Sequence, residues 1–133
     1  MKNYLFMIWS NTFLLFPVFF SLIYKEYLYL FFSIGIAVFS TLYHLYSRKR
    51  HHGLFKLFRM FDWLFAIGSF TYMYLYSYLY MSSVVKIMFI ILLTLVILFF
   101  FYGWKRGDYE KLHPWFHIIA GIVSAGILIA VNI

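Results

Sequence analysis

From Val84 to Gly103 the chain stays apolar on nearly every face, and four other stretches of comparable length do the same. An α-helix rising 1.5 Å per residue needs about 20 such residues to cross a hydrocarbon layer about 30 Å thick. A β-barrel would show shorter segments of alternating polarity divided by turns, so helices are the spanning elements predicted here. With 65% hydrophobic and 11% charged residues in 133, a water-soluble domain is excluded. The sequence predicts an all-α, integral membrane bundle forming a single transmembrane domain. Its five spans are expected at residues 4–24, 27–46, 60–81, 84–103 and 112–131.

The formal charge of +7 comes from basic residues that lie between the apolar runs rather than along one surface. They are a topology signal and do not call for a nucleic-acid partner. Arg48, Lys49, Arg50, Lys56 and Arg59 fill one connection, and Lys105, Arg106 and Lys111 fill another. Basic loops stay in the cytoplasm, which places the amino terminus inside and the carboxyl terminus outside. The first run lacks a small-residue cleavage site before Tyr24-Lys25-Glu26-Tyr27 and is read as a helix, not a leader. Pro17 is expected to kink it, and Gly121, Ser124, Ala125 and Gly126 give the fifth span a small-residue packing face.

Ionisable groups inside a membrane are costly and need partners. His113 and His117 stand four apart, hence on one helical face a turn apart, a spacing suited to one metal ion. Pro114 is expected in the first turn of that helix. Ser40 and His44 share the same spacing on the second span, and Asp62 opens the third. On the predicted topology all converge on the cytoplasmic leaflet. There is no cysteine, so any metal must be held by His, Asp or Glu. His44, His113 and His117 can supply three imidazoles and leave a fourth tetrahedral position for water, the pattern of catalytic zinc. Asp62 would orient or deprotonate that water, or hydrogen-bond a ligand. Taken singly, the histidine pair reads better as interfacial anchoring and Asp62 as a complement to the helix dipole. It is their joint occurrence at one depth that points to a metal site. His51 and His52 belong to the basic loop and are expected in solvent or among lipid headgroups. Ser10, Asn11 and Thr12 are expected to hydrogen-bond to neighbouring helices, with pocket lining as the alternative.

Ser40-Thr-Leu-Tyr-His44, Phe-Asp62-Trp-Leu and His113-Pro-Trp-Phe-His117-Ile-Ile-Ala-Gly121 together resemble the CREST superfamily. That group contains alkaline ceramidases, progestin and adipoQ receptors and myomaker-like proteins. The resemblance implies Zn2+ held by His44, His113 and His117, with Ser40 and Asp62 beside it. The chain reads as a short, five-span form of a group that usually has seven. Two helices of the wall would be missing or supplied by a second copy in a homo-oligomer. The resulting expectation is a zinc-dependent intramembrane hydrolase of a lipid-like amide or ester, in which Asp62 and Ser40 are catalytic. The alternative is a non-enzymatic, metal-stabilised scaffold or membrane-remodelling protein. Ion transport would need polar residues continuing beyond Ser69, Thr71 and Thr94, and a haem would need ligands across a large cavity. Both rank below the first two.

Overall fold

The structure, a computed structural model, describes residues 2–47 and 53–133, with side chains from residue 5 onward. The described residues fold into helices α1 (Lys2–Ser10), α2 (Leu15–Tyr24), α3 (Tyr27–Tyr46), α4 (Gly53–Tyr80), α5 (Ser83–Arg106) and α6 (Tyr109–Asn132). A 3-10 segment, Asn11–Leu14, joins α1 to α2, and there is no strand among the described residues. Four stretches are long and apolar enough to cross a membrane: Leu5–Tyr24, Tyr27–Tyr46, Ser83–Arg106 and Tyr109–Asn132. The expected span at 60–81 lies in α4, which is not among them. That helix has Lys56, Arg59 and Asp62 at its start and Tyr72, Tyr74, Tyr76, Tyr78 and Tyr80 at its end, so its composition is less apolar although its 28 residues are long enough.

Helix α4 also starts earlier than expected and includes Lys56 and Arg59. Phe55 and Phe58 turn inward against Tyr43 and Tyr46 of α3, and Lys56 and Arg59 remain exposed. Aromatic stacking continues along this pair of helices through Phe39 with Phe61 and Phe65. Arg48, Lys49, Arg50, His51 and His52 lie outside the described residues, so the expectations for them are untouched.

Helix α6 is the axis of the bundle. Its small residues let neighbours approach, and it packs against α1, the 3-10 segment, α2 and α5, and over a smaller area against α4. Ile127 and Leu128 are fully buried beside Leu93 and Phe89 of α5 and Met73 of α4. Most apolar side chains of α5 point outward instead, as expected where the surroundings are lipid rather than water.

The first span stays helical throughout but tightens at Asn11–Leu14. Pro17 has no N–H to donate to the Phe13 carbonyl four residues earlier, and the turn before it tightens into the 3-10 segment. That carbonyl abuts Gly121, in the position a Cβ would occupy there. A side chain at 121 would therefore hold the first span away from α6.

Candidate metal centre

Helix α6 begins at Tyr109 rather than at Leu112. Gly107, at φ 72°, ends α5 in a left-handed turn, and the Asp108 carbonyl then accepts the N–H groups of Lys111 and Leu112, both at 3.0 Å. Pro114 consequently lies in the second turn, not the first, and denies the Glu110 carbonyl its helical partner. His113 and His117 still share one face of this helix, and that face meets His44 near the end of α3.

The three imidazoles are buried, at 1% exposure for His44, 6% for His113 and 3% for His117. They offer nitrogens that all lie within 4.8 Å of one another. His44 Nε2 and His113 Nε2 are 3.2 Å apart. Two nitrogens bound to one tetrahedral zinc at 2.0–2.1 Å would be separated by about 3.3 Å. The widest separation exceeds that edge by no more than about 1.5 Å. Donor type, burial and spacing therefore fit one divalent ion, and three close, buried histidines could hold it. His113 Nδ1 is buried without a hydrogen-bond partner, so the support that usually fixes a metal-binding ring is missing on that side.

Ser40 lies on the same face of α3 as His44 and is equally buried, its hydroxyl 3.4 Å from His117 Nε2. The half-buried carboxyl of Asp62 faces the Ser40 hydroxyl from α4. Both residues line a cavity of about 310 Å³ that also reaches His113 and His117. Its remaining wall is mostly apolar and runs past Ile67, Phe70 and Phe101 towards Tyr74. Ile67 and Phe101 are more than half exposed on the outer surface, so the cavity opens sideways between α4 and α5.

Two groups near the centre were not assigned a part in it from the sequence. Tyr109 places its hydroxyl 3.1 Å from His113 Nε2 and stacks on that ring with centroids 4.3 Å apart. Its position four residues before His113 is the sequence signal for this contact. Ser10 meets His117 Nδ1 at 3.1 Å, and Asn11 reaches Ser40 and Thr41 of α3, so both make the interhelical bonds expected of them. Thr12 bonds within its own turn, to the Trp9 carbonyl.

Comparison with protein-family models, with curated proteins and with solved structures found no match for the chain. What the described residues define is an all-helical bundle with four stretches long and apolar enough to cross a membrane and a buried three-histidine cluster that could hold a metal ion.

Proposed function

We propose that the chain is a membrane-embedded, zinc-dependent hydrolase of a lipid-like amide or ester. The observation that carries this reading is that the buried three-histidine cluster meets, through His113 and His117, an apolar, sideways-opening cavity that Asp62 and Ser40 also line. A scaffold that used its histidines only to clamp helices would have no need of that cavity. The resemblance to the CREST superfamily supports the same assignment of residues.

In this reading α4 is the fifth crossing. Its tyrosines find partners on adjacent elements, Tyr74 with Thr94 at 2.8 Å and Tyr76 with Glu26 at 2.8 Å, which lowers the cost of placing them in the bilayer. The amino terminus is cytoplasmic and the carboxyl terminus outside. Lys56, Arg59, Lys105, Arg106 and Lys111 then lie on the cytoplasmic side, at the end of the bundle that carries the histidines.

His44, His113 and His117 would hold the ion, and the Asp62 carboxylate on the wall of the adjoining cavity would offset part of its charge. Zinc, when bound, polarises a carbonyl and makes water more acidic. Asp62 accepts the proton of a water whose oxygen attacks the scissile carbonyl carbon, and the Ser40 hydroxyl, which at rest donates to Asn11 Oδ1 at 3.4 Å, turns to donate to the oxygen on which charge develops. Asp62 then returns the proton to the leaving amine or alcohol as the C–N or C–O bond breaks. The products are a carboxylic acid and that amine or alcohol. The apolar walls hold the substrate's tail and keep bulk water out.

The test is elemental analysis of detergent-purified protein beside a His44→Ala, His113→Ala, His117→Ala triple variant. About one zinc per chain, lost in the variant, is the expected result. No metal in the unaltered protein, even after zinc is supplied, would overturn the assignment.

A further inference from the structure

Ser10 is the last residue of α1 and is 1% exposed. Its Oγ lies 2.8 Å from the Met7 carbonyl oxygen and 3.1 Å from His117 Nδ1. A hydroxyl carries a single proton, and a carbonyl oxygen can only accept. The proton therefore goes to Met7, and the serine oxygen presents a lone pair to the imidazole. The shorter of the ring's two hydroxyl contacts, 3.1 Å at Ser10 against 3.4 Å at Ser40, is satisfied with the proton on Nδ1, which leaves Nε2 bare on the side of Ser40 and the cavity.

We propose that Ser10 is a positioning residue that fixes His117 in its Nδ1–H tautomer and so presents an unprotonated Nε2 to a divalent metal. The proposal rests on the metal-centre reading above. The neighbouring residue holds the cavity serine. The Asn11 side-chain carbonyl accepts from Ser40 Oγ at 3.4 Å, and its amide donates to Thr41 Oγ1 at 3.3 Å. The Thr41 proton goes to the Ala37 carbonyl at 2.7 Å, so its oxygen is free to accept from Asn11. The end of α1 thus steadies a ligand on α6 and the cavity serine on α3. It can reach both because Gly121, one turn beyond His117, allows the 3-10 segment to touch α6.

The experiment compares the full chain in detergent with Ser10→Ala and Ser10→Thr. Zinc affinity is read by competition with a chromophoric chelator, and the His117 tautomer by nitrogen-15 NMR of histidine-labelled, metal-free protein, assigned with His117→Ala. We expect Nδ1–H in the unaltered protein and loss of that single tautomer in Ser10→Ala. Zinc affinity should fall about 10- to 100-fold in Ser10→Ala and recover in Ser10→Thr, which keeps a hydroxyl. An Nε2–H tautomer in the unaltered protein, or unchanged zinc affinity in Ser10→Ala, overturns the proposal. A protein that binds no zinc but shows the expected tautomer overturns the metal-centre reading and with it the role of Ser10 towards a metal.

Discussion

Replacing Gly121 by Ala adds one methyl group where the first span touches α6, and its effect can be worked out in advance. The new Cβ would fall 2.7 Å from the Phe13 carbonyl carbon and 3.2 Å from the Phe13 Cβ. Carbon atoms pack at about 3.5–4.0 Å, so the segment must withdraw by about 1 Å. The obstacle is backbone, which cannot rotate aside as a side chain would. Ser10 belongs to the same segment. The same withdrawal would stretch its 3.1 Å contact with His117 Nδ1 beyond hydrogen-bonding distance. Overpacking of this kind costs about 1–3 kcal/mol. We expect thermal unfolding in detergent to move down accordingly, and zinc affinity to fall about 10- to 100-fold, as for loss of an outer partner of a ligand. Gly126→Ala is the control. A Cβ there would meet the Phe89 ring at 3.4 Å and 3.5 Å, ordinary contact with a side chain, so stability and zinc affinity should change little. If Gly121→Ala matched Gly126→Ala in both measurements, the claim that close approach at Gly121 seats Ser10 against His117 would be refuted.

Three further outcomes are expected. Asp62→Asn should keep its zinc and lose turnover by about 10²- to 10⁴-fold in a hydrolysis assay on lipid amides and esters, and full turnover would remove Asp62 as the base. Tyr29→Phe deletes a buried hydroxyl that bonds the Ser124 carbonyl at 2.9 Å and the Ser124 hydroxyl at 2.8 Å. It should lower stability by about 1 kcal/mol, seen as a reduced midpoint in thermal unfolding, with zinc affinity unaltered. Because an imidazole binds metal only without its second proton, protons compete with zinc, and zinc followed by chelator competition should be released in acid once the rings protonate. Full zinc affinity retained in strong acid would argue that histidines are not the ligands.

What the sequence revealed and what it hid divide along the range of the interactions. The pairs Ser40 with His44 and His113 with His117 were legible because a helix brings residues four apart onto one face whatever surrounds it. The lengths of the apolar runs were legible because the thickness of a bilayer sets them. Local signals also exist for the starts of α6 and α4. Gly107 followed by Asp108 marks a helix end and a new start, and would have placed Tyr109 in the first turn of α6, beside His113. The alternation of Phe55 and Phe58 with Lys56 and Arg59 already described a helical face rather than a loop. By contrast, Ser10 and His117 are 107 positions apart, and neither residue carries a local sign of the other. Their meeting depends on three distant facts acting together: Pro17 withholds a proton from the Phe13 carbonyl, the chain there tightens into a 3-10 turn, and Gly121 offers no side chain to push that turn away. Each residue alone supports only a general statement about kinks or small-residue packing. Combined, they bring the end of the first helix to the histidine cluster, which is why that part of the candidate site emerged only from the folded chain.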